Sequence, residues 1–334
     1  NALKDITGAP CLYIDLNEKI EESTALKNIM EADRNNFIIN CSSRGKGEKK
    51  NSKGVIAGHA YTLAGTFSIH QGKETLLKLR NPWGKGEWTG DWGDTSPLWT
   101  EELKQHVGWT ANDDGIFYMT YNDFKENFEG VTICHYKDNY IYSYLSSSNS
   151  DETVDIKQFT ILEGGEYYIG TSQPDKHMFL HDPKYEYGFI SCAIIKKVGD
   201  SFEYVDGFAN THRDPWTKVE LQPGAYLILI YTNWISANTD YALWSYGKKN
   251  VCFKNVEKSE NKAAAFKGLC DALKKKALAS TDNWQKFSNP KMTGARYKFE
   301  HSSNGYGYYV FENPVPGLTL RVTLEKKSVN CEYC

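Results

Sequence analysis

His59 lies in GHAYTLAG (58–65) and Asn81 in LRNPWGKGEWTGDW (79–92). Each run reads as a buried strand that carries one chemically useful side chain. A histidine followed at this distance by an asparagine, with Trp83 and Gly84 just beyond, suits a thiol protease. One imidazole nitrogen takes the proton of a cysteine thiol and later delivers it to the leaving amine. The asparagine oxygen accepts the N–H of the other nitrogen, which fixes tautomer and orientation. Trp83 can shield that hydrogen bond from water, where it is stronger. Gly58 is expected to leave backbone room beside the imidazole, and Pro82 to stiffen the turn that presents Asn81. A lone histidine on an apolar strand is more often a satisfied core residue, and Asn-Pro-Trp-Gly by itself reads as a turn. The two in this order, both at strands, favour the catalytic reading.

The elements that must position them can be read from periodicity. Residues 15–32 have apolar positions at 16, 20, 26, 29 and 30, a helical stripe. Strands are expected at 36–41, 56–66, 75–79 and 115–121, with short helices opened by Ser96-Pro97 and over 122–128. The polar loop 42–54, with five basic residues against Glu48, either gates a cleft or is a solvated surface. Residues 1–137 are thus mixed and β-rich. Residues 138–254 hold eight short aromatic or β-branched runs punctuated by turn residues, the pattern of an antiparallel sandwich. Residues 255–334 read as a C-terminal α+β segment, with a helix at 260–279, strands near 295–301, 306–313 and 318–324, and a hairpin turn at Asn304-Gly305.

Composition narrows the function classes. The 334 residues suffice for two or three domains, and a formal charge of -3 gives no electrostatic reason to expect nucleic acid or an anionic membrane. The longest strongly apolar run, Ala225 to Tyr231, is too short to span a bilayer, and no secretory signal is visible. The eight cysteines are scattered among apolar strands, which argues for reduced thiols and a cytosolic home. A start at Asn1 rather than Met is expected of a piece of something longer.

GVIAGHAYTLAG, LLKLRNPWGKGEWTGDWGD and NDDGIFYMTYNDF resemble the second protease lobe of the calpains, papain-like intracellular cysteine proteases controlled by calcium. NALKDITGAP resembles the stretch before that lobe, and FIINCSS the strand before its histidine. HRDPWTKVELQPGAYLILIYTNW resembles the C2-like β-sandwich that follows the calpain core. The resemblance implies an α+β fold: a papain-like second lobe, an antiparallel C2-like sandwich, and the C-terminal segment. It also implies that the nucleophilic cysteine belongs to a first lobe. Only Cys11 and Cys41 precede His59, neither in the family's setting, and both are expected to be structural. The function implied is an intracellular endopeptidase acting on protein substrates, with a cytoplasmic, cytoskeleton-associated setting and its first lobe on the same or another chain. The 334 residues alone are expected to be inactive. The alternative is a non-catalytic scaffold on the same frame, within a larger assembly. A transglutaminase-like reading is disfavoured because that triad has aspartate where Asn81 stands.

Carried over position by position, the family's calcium ligands fall on Glu87, Asp94, the Asn112 carbonyl and Asp114. Ile116 stands where the family has a glutamate, so calcium binding is expected to be weak or lost, and no organic cofactor is implied. The family's acidic sandwich loop has no counterpart in 172–179, while Asp151, Glu152 and Asp155 read as solvated. Cys331 and Cys334 are a single pair, too few for zinc.

Overall fold

The chain divides into two units, residues 1–138 and 139–330. The computed structural model describes residues 2–17, 22–150, 153–182, 184–236, 238–287 and 294–313. The expected strand at 318–324, the Cys331/Cys334 pair, Asp151 and Glu152 lie outside the described residues.

The first unit runs α1 (Ala2–Thr7), β1 (Cys11–Asp15), α2 (Glu22–Arg34), β2 (Ile38–Ser43), β3 (Ala60–Ile69), β4 (Glu74–Arg80), α3 (Glu101–Val107), β5 (Ile116–Thr120), α4 (Tyr121–Asn127) and β6 (Phe128–Cys134). Its strands form one antiparallel sheet in the order β1-β6-β2-β3-β4-β5. Ala25, Ile29 and Ala32 make the buried stripe of α2, at helical spacing, and pack with Ile39, Tyr61 and Leu63. Along β3, Tyr61, Leu63 and Gly65 are buried in alternation with exposed neighbours. The helix expected from residue 15 starts at Glu22, because Asp15 belongs to β1, paired with Gly130. The helix expected at Ser96 begins instead at Glu101, where the Thr100 hydroxyl accepts the Leu103 N–H and caps it.

In the second unit, β7 (Ile141–Ser148), β8 (Val154–Ile161), β9 (Gly165–Ser172), β10 (Phe189–Val198), β11 (Ser201–Asn210), β12 (Trp216–Leu221), β13 (Gly224–Asn233) and β14 (Asp240–Gly247) build two sheets. With β15 (Lys254–Asn255), their orders are β11-β10-β13-β8-β15 and β12-β9-β14-β7. Ile190, Cys192, Ile194 and Ile228 of one sheet meet Tyr167, Ile169, Val219 and Leu243 of the other in a shared core. The next residues along the same strands, Ala193, Ile195 and Leu229, point to the opposite face. There they pack against Ala265, Leu269 and Leu273 of α5 (Ser259–Leu278). A face covered on both sides explains why β10 reads as a nearly continuous apolar run. A small sheet of β16 (Gln285–Lys286), β17 (Arg296–His301) and β18 (Gly307–Glu312) follows, with Gly305 at φ 79° in its turn. The fold is α+β and rich in antiparallel strands.

Asp155 is not solvated as its sequence context suggested. It receives hydrogen bonds from the Tyr241 hydroxyl (2.6 Å) and Ser147 (3.1 Å), and lies 2.6 Å from Lys157, a side chain only 2% exposed. A lysine so deeply buried must be paired, and Asp155 is its counterion.

Candidate active site

His59 stands just before β3, and Asn81 just after β4, on neighbouring antiparallel strands. Their side chains meet, with His59 Nε2 3.1 Å from Asn81 Oδ1. An amide oxygen cannot donate, so Nε2 carries the proton and Nδ1 is left as the proton-accepting nitrogen. The imidazole is 8% exposed and Asn81 fully buried, so this bond is shielded from water.

Every polar atom of the Asn81 side chain is used. Oδ1 also accepts the Trp83 N–H at 3.1 Å, while Nδ2 donates to Lys85 O at 2.8 Å and Gly86 O at 3.2 Å. Two donors face the oxygen and two carbonyls face the nitrogen. This arrangement fixes which way the amide points and demands an amide rather than a carboxylate. The Asn81 backbone N–H is anchored to Gly115 O at 2.8 Å. Gly115 has φ 80°, and a Cβ there would lie 2.8 Å from Asn81 O, so only glycine fits this approach.

Trp83 covers the imidazole with ring centroids 4.5 Å apart, yet is itself 48% exposed. Tyr61 meets the imidazole edge-on at 5.1 Å and accepts the Ile56 N–H on its hydroxyl. Gly58 acts differently from the sequence expectation. At φ 63°, its missing Cβ would meet the backbone of Gly45 and Lys46 rather than the imidazole, so it lets the preceding loop close.

Two partners of His59 were not legible in advance. The buried Ser43 hydroxyl, at the end of β2, accepts the His59 N–H at 2.9 Å and donates to Ile56 O at 2.6 Å. The Ser43 N–H in turn donates to His59 O at 3.0 Å. Ser43 thereby clamps the histidine backbone; the only hint in the sequence was strand alternation placing it on the buried face of β2. Glu48, from the basic loop, brings a carboxylate 3.8 Å from Nδ1. That is too long for a hydrogen bond but close enough for charge attraction if the ring is protonated.

Neither cysteine before His59 serves this site. Cys41 sits within the core on β2, and burial pushes its thiol well above the ordinary range, away from thiolate. Cys11 lies on β1, separated from β3 by β6 and β2.

The residues expected to hold calcium come together only in part. Glu87 and Asp94 are in side-chain contact, and Asp113, which the sequence reading passed over, adds negative charge beside both. Burial, together with Asp94, raises the Glu87 carboxyl to about 7, even though its Oε1 accepts the Asp114 N–H (3.0 Å) and Gly115 N–H (2.8 Å). Asp94 Oδ1 is buried without a hydrogen bond. Asp114 Oδ1 is engaged by the Ile116 N–H, and the Asn112 carbonyl by the Asp114 N–H. Ile116 packs into an apolar cluster with Val107, Trp109 and Tyr118. Among the described residues, no group of three or more histidine, cysteine, aspartate or glutamate side chains is arranged to hold a metal ion.

Residues 1–135 match the model of the calpain family cysteine proteases. A calpain of Schistosoma mansoni is 36% identical over 141 residues, covering 40% of this chain and 19% of that protein. Calpain-9 of Rattus norvegicus is 35% identical over 143 residues, and calpain-14 of Homo sapiens 41% over 140, each covering 40% of this chain and 20% of the relative. The chain therefore spans about a fifth of the length of these relatives. The crystal structure of the cysteine protease and lectin-like domains of Cwp84, a surface layer associated protein of Clostridium difficile, aligns with a TM-score of 0.23. That alignment has 7% identity over 71% of this chain and 52% of the other, and carries no argument about the fold.

Proposed function

We propose that residues 1–135, which match the model of the calpain family cysteine proteases, supply the histidine and asparagine of a cysteine endopeptidase whose thiol comes from a first lobe. The observation that carries this reading is the His59 Nε2 to Asn81 Oδ1 contact of 3.1 Å, which leaves Nδ1 as the base. Nδ1 takes the proton of the thiol, the thiolate attacks a backbone carbonyl of an extended protein substrate, and the imidazolium returns the proton to the leaving amine. Water then releases the acyl group through the same nitrogen. Trp83 excludes water from the His59–Asn81 bond, and Ser43 holds the backbone from which the ring projects. The sandwich of residues 138–254, read as C2-like, would follow the catalytic core, and the setting would be cytoplasmic. Among the described residues no helix is long and apolar enough to cross a membrane.

Glu48 supports a second reading, a non-catalytic scaffold, since its carboxylate approaches the nitrogen that must serve the thiol. One experiment separates the two. A fluorogenic peptide and a thiol-directed epoxide are offered to the 334-residue chain and to the full protein with its first lobe. Turnover and labelling are expected in the full protein alone. No turnover there would leave the scaffold, and labelling of Cys11 or Cys41 that depends on His59 would refute the division of the triad.

Calcium binding by the first unit is proposed to be weak. Two contacting carboxyls and an unpartnered Asp94 oxygen suit a hard cation, but the Asn112 and Asp114 oxygens already serve backbone N–H groups. Glu87 and Asp94 would hold the ion, with a dissociation constant on the order of 10⁻⁴–10⁻³ M. A proton competes for the same place. Glu87 in the folded state binds its proton more tightly than an ordinary glutamate of pKa 4.5, so stability falls as pH rises from 4.5 to about 7. Calcium would offset that loss only above this window. Melting temperatures at pH 5 and pH 8, with and without millimolar calcium, test both statements. Glu87→Gln should flatten the pH dependence and remove the calcium response. A calcium shift of equal size at pH 5 and pH 8 would count against the shared site.

A further inference from the structure

Cys11 and Cys134 lie directly opposite each other where β1 pairs with β6. The neighbouring bonds establish the kind of pair they form. His135 donates its N–H to Pro10 O, and Leu16 to Glu129 O, both at 2.9 Å. Hydrogen-bonded and non-hydrogen-bonded pairs alternate along an antiparallel ladder. The opposed pairs 10:135 and 16:129 are bonded, so 11:134 is a non-hydrogen-bonded pair. Such pairs bring their Cα atoms to about 4.5 Å, within the roughly 4.4–6.8 Å that a disulfide spans.

The two side chains also share a face. Leu12, Ile14, Val131 and Ile133 point into the core cluster, so Cys11 and Cys134 project to the other side of the sheet. There α1 and the turn after it surround them. Cys134 Sγ is 3.5 Å from the Thr7 hydroxyl, and Cys11 Sγ is 3.7 Å from Ala9 O. The contact with Cys11, the Thr7 hydroxyl, the Tyr136 N–H and the nearby Lys4 ammonium together hold the Cys134 thiol down at about 7 against its burial. Lys4 is only 5% exposed and donates to Gly8 O at 3.1 Å, so its charge is fixed in place. Cys134 is fully buried and Cys11 partly exposed, which makes Cys11 the sulfur that solvent reaches.

We propose that Cys11 and Cys134 are a peroxide-reactive dithiol that closes to a cross-strand disulfide and fixes the edge strand β1 to its sheet. Cys11 passes its proton to the Cys134 sulfur and attacks one oxygen of a hydroperoxide, giving a sulfenic acid and, with a solvent proton, releasing water or an alcohol. The Cys134 sulfur then attacks the Cys11 sulfur, and its proton leaves with the displaced hydroxide as water. Two electrons pass from the sulfurs to the peroxide. The disulfide encloses the chain between residues 11 and 134, so the oxidised unit resists unfolding more than the reduced one.

The test uses the chain with Cys252, Cys270, Cys331 and Cys334 changed to serine. It is treated with stoichiometric hydrogen peroxide, alkylated and digested without reductant. A linked peptide pair containing Cys11 and Cys134, lighter by about 2 Da than its parts, is expected, with a raised melting temperature that dithiothreitol reverses. In Cys134→Ser, dimedone should trap a sulfenic acid on Cys11, while Cys11→Ser should give no linkage. A trivalent arsenical, phenylarsine oxide, should bind the parent and neither variant, which reads the pairing without any oxidation. Dimedone accumulating on Cys11 in the parent without linkage, or no arsenical binding by folded parent protein, would overturn the proposal.

Discussion

Replacing His59 with alanine in the full protein is expected to abolish peptide turnover, a fall of about 10⁴-fold or more in kcat/KM. The imidazole moves a proton in both half-reactions, and no other base lies at its place. Ser43 holds only the backbone of residue 59, and Glu48, 3.8 Å from Nδ1 with a side chain 62% exposed, has no fixed route to a thiol. The alanine variant keeps the strand and its backbone bonds, so the melting temperature should change little while turnover vanishes. Asn81→Ala should retain more activity, falling about 10²-fold, because the ring remains present and loses only its orientation. Equal kcat for the parent and His59→Ala would refute the assignment.

Asn81→Asp is expected to damage both stability and activity, although it changes one atom. The buried amide donates to Lys85 O and Gly86 O. A carboxylate would place an acceptor against two acceptors, leaving both carbonyls unsatisfied, while His59 and Trp83 still donate to the other oxygen. Unpaired buried groups cost about 1–3 kcal/mol each, so a loss of about 3 kcal/mol or more is expected from urea unfolding. A protonated acid supplies one donor where the amide supplied two, so lowering the pH should recover part of the stability. This sign is the reverse of a salt-bridged carboxylate, whose contribution is lost on acidification. Stability unchanged at pH 8 would mean the two carbonyl contacts are dispensable.

Much of the site was legible because its chemistry is local. The amide of Asn81 is fixed by Trp83, Lys85 and Gly86, all within five residues, and the turn they form is written in that one stretch. The sandwich strands were equally readable, since alternation and turn residues act over a few positions. Strands β1 and β6 were passed over. β1 abuts a helical stripe, and β6 is interrupted by Gly130 and follows directly on the helix that ends at Asn127.

The sequence by itself determined the identity and order of the histidine and asparagine and the strand-rich α+β composition. Only the tertiary structure decided what surrounds them. Ser43 clamps His59 from 16 positions away, and Glu87 spends its oxygen on N–H groups 27 and 28 residues on. Helix α5 closes over a sheet face that periodicity marks as apolar but cannot assign to a partner. Cys11 meets Cys134 because two strands distant in sequence pair in one register. A shift of a single residue would send the two sulfurs to opposite faces, and register is set by the packing of the whole sheet, not by either strand alone.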